Sequence, residues 1–116
     1  MNEPDSGVLL VLTNCPDEAT ATRIRRALVD ARLAACVNQL GPVQSTYRWD
    51  GAVEEATEVP LLIKTTCARY PALEARLREL HPYSVPEIVA LPIKQGFEDY
   101  LAWVGVETRA NTNQAE

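Results

Sequence analysis

The hydrophobic pattern of the first third of the chain predicts a strand followed by a helix. Residues 7–13 form an unbroken apolar run, GVLLVLT, which is typical of a central strand covered on both faces. Residues 16–32 then predict a helix, with Pro16 in its first turn and acidic residues beside the positive end of the helix dipole. Apolar residues recur along it at helical spacing and form one core-facing stripe: Ile24, Ala27, Leu28 and Ala31.

A long β-hairpin is predicted next. Its outgoing strand begins near residue 35, is interrupted at Gly41-Pro42, and then alternates so that Tyr47 and Trp49 share one face. Asp50-Gly51 is the pair that a type I′ turn prefers, and the returning strand spans residues 52–67. The segment from Asn38 to Trp49 extends ~40 Å at about 3.3 Å per residue, whereas the following helix covers only ~18 Å at about 1.5 Å per residue. Because uncovered aromatic edge strands aggregate, we expect the hairpin to pack against other copies of the chain.

The second half of the chain predicts a helix, a strand and a short helix. The first helix starts after Arg69 and stops at His81-Pro82, since a residue that precedes proline avoids the helical region. A strand over residues 87–93 and a helix over 97–106 follow, with Tyr100 and Trp103 expected in the core. The order β-α-β-β-α-β predicts an α+β, ferredoxin-like antiparallel sheet. We expect one domain over residues 7–108, between disordered ends at 1–6 and 109–116.

Composition narrows the classes of function. The net charge of −5 and the scattered basic residues argue against nucleic acid as a partner, because binding it needs clustered Lys and Arg. No apolar run approaches the length of a membrane helix, and the polar, acidic start does not read as a leader peptide. The three cysteines are widely spaced and form no C-x-x-C pair, which favours free thiols in a reducing compartment. We therefore expect a cytoplasmic protein that binds neither nucleic acid nor membrane.

Short motifs in register resemble those of the CutA divalent-cation tolerance family. They are LAACVN (33–38), YRWDG (47–51), IKTT (63–66), HPYSVPEI (81–88) and the final YLAW (100–103). The resemblance covers residues 7–107, nearly the whole chain. It implies a ferredoxin-like homotrimer whose hairpin crosses neighbouring subunits. It also implies a link to tolerance of copper and other divalent ions, without an assigned enzymatic reaction.

His81 is the first candidate for a metal ligand, because imidazole suits copper, zinc and nickel and this is the single histidine. Some family members carry a cysteine at the end of the first strand and two histidines before Pro-Tyr. This chain has Thr13 and Leu80-His81 at those positions. Cys15 and Glu87 are further candidate ligands, and so incomplete a set predicts weak binding of copper or another divalent cation. The alternative is that His81 only ends a helix, where its charge suits the dipole.

A second candidate site combines aromatic and charged residues. If Tyr47, Trp49, Lys64, Tyr83 and Glu87 converge at a subunit boundary, they would form a pocket for a small anionic or amide-bearing ligand. The alternative is an interface in which these groups only satisfy one another.

The sequence thus leaves two classes of function open. One is a metal-responsive binding protein that uses His81. The other is a PII-like trimer for signalling or scaffolding that binds a small molecule at subunit clefts, an analogy that rests on fold alone. An enzyme is not expected, since the chain offers no nucleophile triad, carboxylate pair or phosphate-binding glycine loop.

Overall fold

The computed structural model describes residues 6–110. Five strands and three helices follow one another along this part of the chain. They are β1 (Val8–Cys15), α1 (Glu18–Asp30), β2 (Cys36–Gln39), β3 (Val43–Trp49), β4 (Ala52–Thr66), α2 (Tyr70–Leu80), β5 (Val89–Ile93) and α3 (Glu98–Glu107).

The strands form one antiparallel sheet in the order β2-β4-β1-β5, and β3 continues the pairing along the far half of β4. β1 is central, as its apolar run predicts: Val11 pairs with Ile63 on one side and with Ala90 on the other. The predicted outgoing strand is split into β2 and β3 around Gly41-Pro42, where the sequence places its interruption. The α+β class and the antiparallel sheet of the split β-α-β order are therefore confirmed.

The hairpin turn has the geometry that its sequence demands. Asp50 has φ 54° and Gly51 has φ 81°, so both central residues lie in the left-handed region that a type I′ turn requires. Trp49 consequently pairs with Ala52, and this fixes the register of β3 against β4. We call the part of the hairpin beyond the main sheet, residues 43–58, the arm.

The core lies between one face of the sheet and the helices α1 and α2. Alternate residues of β1 and β4 point toward the helices, including the fully buried Val11, Leu61 and Ile63. Burying each such aliphatic side chain stabilises the fold by about 1.5–3 kcal/mol. The helices contribute buried residues at helical spacing: Ala21, Ile24, Leu28, Leu73 and Leu77.

The helix ends follow local rules with one correction. Asp17 caps α1 because its carboxylate Oδ1 accepts the backbone N–H of Thr20 at 2.7 Å. Pro16 therefore precedes the cap. The prediction that it lies in the first turn of the helix is wrong. At the start of α2, Pro71 occupies the first turn, and the helix ends at Leu80, just before His81.

The opposite face of the sheet is only partly covered. Helix α3 packs on β4 and β1, and its Tyr100 lies near Cys36, which shares this face with Lys64. Val104 is fully buried there. Tyr100 and Trp103, however, are exposed, so the prediction that they belong to the core is wrong for the single chain.

The predicted disordered ends fall mainly outside the described residues, since residues 1–5 and 111–116 lie beyond them. Ser6, within the predicted N-terminal segment, donates its hydroxyl to the carbonyl of Ile93 in β5. At the other end, the hydroxyl of Thr108 donates to the carbonyl of Val104 at 2.8 Å and closes α3. Between residues 6 and 110, no helix combines the length and apolarity that crossing a membrane requires.

Candidate functional site

A cavity of about 640 Å³ opens between the loop that follows α2 and the arm, from Glu58 at the base of the arm to Trp49 beside its turn. The side chains that matter for its chemistry share an aromatic or polar character: Asn14, Tyr47, Trp49, Glu58, Tyr83 and Glu87. Its size falls within the range of about 300–1,000 Å³ that is typical of small-molecule sites. Four of the five residues predicted to form a pocket therefore do come together.

Strand alternation brings the arm residues of the cavity onto one face. In the register of β3 on β4, Val43 pairs with Glu58 and Tyr47 with Glu54. Since side chains alternate along a strand, Tyr47, Trp49 and Glu58 all point to the same side of the arm. The loop between α2 and β5, with Pro82 and Pro86, supplies the remaining wall.

Glu58 and Tyr83 form the contact that closes the inner end of the cavity. The phenol oxygen of Tyr83 donates to Oε2 of Glu58 at 2.9 Å, and only 8% of Glu58 is exposed. Burial, and after it this hydrogen bond and the charge of Glu58, raise the pKa of the Tyr83 phenol well above its usual range. Tyr83 therefore stays protonated and acts as a hydrogen-bond donor.

A second carboxylate lies at the rim of the cavity. Oε1 of Glu87 accepts the side-chain amide of Asn14 at 3.0 Å, and Glu87 is exposed. Asn14, the last residue but one of β1, lies on the same face of the sheet as Glu58, because Cys15 and Val59 pair on the other face. The cavity thus has one buried and one exposed carboxylate.

Lys64 does not line this cavity within the single chain, and its predicted place at a subunit boundary stays a prediction. It lies on the same sheet face as Glu58, but six positions further along β4, which is ~20 Å at about 3.3 Å per residue. Its ammonium donates to Oδ1 of Asn38 and lies 3.8 Å from Sγ of Cys36. Position along β4 keeps Lys64 away from Tyr83, because the loop after α2 docks at Glu58.

His81 is buried behind the cavity wall, with 6% of its surface exposed. Its Nε2 lies 2.7 Å from the backbone carbonyl of Asn14, and its Nδ1 accepts the backbone N–H of Tyr83 at 3.2 Å. A carbonyl partner requires a proton on Nε2, so the lone pair on Nδ1 is the one that meets Tyr83. The histidine therefore ties the end of β1 to the loop after α2 and keeps no free lone pair.

Cys15 lies next to Asn14, with its side chain in the core. Burial, followed by the nearby carboxylate of Asp17, raises the pKa of the Cys15 thiol from 9.0 to about 11. The predicted ligands Cys15, His81 and Glu87 thus all border Asn14. Even so, no group of three or more His, Cys, Asp or Glu side chains suited to a metal ion occurs within residues 6–110.

Sequence reasoning missed Glu58 and Asn14. Glu58 ends a polar stretch, VEEATE (53–58), at the start of the returning strand, and such a stretch predicts no particular role. Counting back from the Asp50-Gly51 turn would have placed it opposite Val43, on the face of Tyr47 and Trp49. No comparable local signal marks Asn14, whose role depends on the loop that folds against it.

The fold and the site define a ferredoxin-like α+β protein with a long hairpin arm and an aromatic, carboxylate-lined cavity at the base of that arm. The chain belongs to the family described as "CutA1 divalent ion tolerance protein", whose profile matches residues 9–107. The family predicted from its motifs is therefore confirmed.

Named relatives support the same assignment. The chain is similar to the divalent-cation tolerance protein CutA of Thermus thermophilus, with 50% identity over 99 residues, 85% of this chain and 96% of that protein. It is 44% identical to the mouse protein CutA over 106 residues, 91% of this chain, and spans 60% of the length of that relative.

Solved structures agree in fold. CutA from Xylella fastidiosa has a TM-score of 0.87 and 45% identity, over 89% of this chain and 99% of that chain. The divalent cation tolerance protein from Thermus thermophilus has a TM-score of 0.86 and 49% identity, over 88% of this chain and 99% of that chain.

Proposed function

We propose that this chain acts in divalent-cation tolerance as a homotrimer that binds a divalent ion weakly near Asn14. The observation that supports the metal part is that His81 and Glu87 both hydrogen-bond Asn14, which is followed in the chain by Cys15. Family membership supports a role with divalent ions. It does not favour the alternative of a PII-like signalling or scaffolding protein, and we propose no enzymatic reaction.

The uncovered arm supports assembly. Trp49 is 51% exposed and Val53 is 60% exposed, and the arm extends beyond the faces that α1 and α2 cover. Apolar side chains are also exposed on β5, at the sheet edge, where Val89 and Leu91 are accessible. Patches of this kind mark protein interfaces, because leaving them in water is unfavourable.

Sedimentation equilibrium tests the assembly. We expect a mass three times the 12.8 kDa of the chain at micromolar concentration. A monomer would contradict the assembly argument, and a dimer would contradict the trimer.

The metal ion we propose is Cu²⁺, since affinity for nitrogen and oxygen ligands peaks at copper among the divalent first-row metals. Glu87, at the exposed rim, would supply the first ligand. His81 would have to exchange the N–H of Tyr83 for the metal at Nδ1, and the thiol of Cys15 would have to lose a proton that burial retains. Each step opposes binding, so the affinity should be low and should fall on acidification, as protons compete for the ligands.

Titration calorimetry with Cu²⁺ tests this assignment on the parent, Glu87→Gln and His81→Gln. We expect both variants to weaken binding, while Glu55→Gln, which removes an exposed charge elsewhere on the arm, should leave it unchanged. Unchanged affinity in both Glu87→Gln and His81→Gln would remove the proposed site. We further propose a cytoplasmic location, which fractionation of the native host would test.

A further inference from the structure

We propose that the cavity at the base of the arm binds a small organic cation, through an ammonium or guanidinium group held by Glu58. This inference goes beyond divalent-ion binding and does not depend on it. It rests on the charge, the hydrogen bonding and the aromatic surface of the cavity.

The charge of the cavity is unbalanced. Glu58 and Glu87 both line it, and no Lys, Arg or His side chain does so within the described part of the chain. The polar contacts of both carboxylates are to neutral donors, the phenol of Tyr83 and the amide of Asn14. A cationic occupant would therefore meet two negative groups and no competing positive one.

Glu58 is the stronger of the two anchors. More than nine-tenths of it is buried, yet only Oε2 has a hydrogen-bond donor within residues 6–110. Removing a carboxylate from water is costly unless its lone pairs are met, preferably by a charged donor. Oε1 has no partner among residues 6–110 and is not sealed from water, so it is open to an occupant of the cavity.

Aromatic surface completes the match to an organic cation. Tyr47, Trp49 and Tyr83 contribute three rings to the cavity wall. Cations are attracted to the faces of such rings, most strongly to tryptophan, and the apolar part of an organic cation packs against them. A bare metal ion would gain little from these rings. The carboxylates would repel an anion. The cavity therefore does not suit the anionic ligand that the sequence predicts for a pocket containing Lys64.

Three probes of equal size separate charge from shape. Benzylammonium, benzyl alcohol and benzoate share one ring and differ in charge. Titration calorimetry on the assembled protein measures their affinities. Fluorescence of the Trp103→Phe variant then follows Trp49 alone, since the chain has two tryptophans. We expect benzylammonium to bind at least about tenfold more tightly than benzyl alcohol and to change the fluorescence of Trp49. Benzoate should not bind.

Two charge-removing variants of β4 locate the anchor. Glu58→Gln keeps an oxygen that can accept the hydrogen bond from Tyr83 but removes the charge. It should lower the affinity for benzylammonium about tenfold and change the affinity for benzyl alcohol by less than about twofold. Glu55→Gln removes an equal charge from the other face of the arm and should change neither affinity. If Glu58→Gln fails to fold, Glu87→Gln at the exposed rim should still weaken benzylammonium selectively.

Other outcomes would overturn the proposal. Equal affinity for the three probes would mean that the cavity recognises only shape. If benzylammonium does not bind and Glu58→Gln dissociates into subunits more easily than the parent, Glu58 forms an ion pair with a Lys or Arg of a neighbouring copy instead. Glu87→Gln is used in both tests, but His81→Gln tests only Cu²⁺ binding and Glu58→Gln tests only the organic cation. Failure of the organic-cation site therefore leaves the divalent-ion proposal standing, and the reverse also holds.

Discussion

Replacing His81 with alanine should destabilise the fold even when no metal is present. The imidazole joins the carbonyl of Asn14, at the end of β1, to the N–H of Tyr83, in the loop after α2. It also packs on the ring of Tyr83, with the ring centroids 4.7 Å apart. One side chain thus connects the sheet to the wall of the cavity.

The size of the effect follows from these contacts. The substitution leaves a carbonyl and an N–H without their partner, and each partly buried group costs ~1 kcal/mol, near the lower end of the usual range. Removing a ring from a site that is 94% buried, since 6% of it is exposed, adds a cavity term of ~1 kcal/mol. We therefore expect a loss of about 3 kcal/mol in the free energy of unfolding. His81→Gln should lose less, because its amide can still donate to Asn14.

Guanidinium unfolding followed by circular dichroism measures this loss, at one protein concentration and with a chelator present, since assembly and metal binding both shift apparent stability. Ser84→Ala, an exposed change in the same loop, is the control. A His81→Ala variant within about 0.5 kcal/mol of the parent would refute the reasoning. So would a loss that vanishes under chelation, because His81 would then stabilise only as a ligand.

Other predictions concern caps, thiols and the arm. The hydrogen bond from the Thr20 N–H holds the pKa of Asp17 below its usual value. The stability that the Asp17 carboxylate contributes should therefore be lost as pH falls through that lowered pKa. In thermal melts, Asp17→Asn should show a weaker dependence on acid pH than the parent. Burial raises the pKa of the Cys15 thiol to about 11, so Cys15 should resist thiol reagents until unfolding, whereas the exposed Cys67 should react at once. The stability that Cys15 contributes should decline from about pH 9 through pH 11, and the Cys15→Ala variant should lack this decline. Trp49→Ala should make the assembly dissociate at higher protein concentration by sedimentation, and a parent-like dissociation profile would show that Trp49 lies outside the interface.

Local signals in the sequence predict much of the architecture. Asp50-Gly51 set the hairpin, and the interruption at Gly41-Pro42 divided its outgoing strand, because both depend on backbone preferences within a few residues. Pro71 and Pro82 bounded α2 in the same way. The predictions that relied on such preferences were confirmed, apart from the place of Pro16.

Tertiary structure alone decided the chemistry of the cavity. Tyr47, Trp49, Tyr83 and Glu87 could be named from the sequence, but Lys64 and Glu58 could not be told apart, since both interrupt β4 with a charge on the same face. Which of them meets Tyr83 depends on where the loop after α2 docks along a fifteen-residue strand. That position follows from the packing of α2 on the core and from the contacts of His81, which join segments far apart in the chain. The sequence by itself therefore determined which elements form and where the hairpin turns, whereas only long-range packing determined that the cavity is negative.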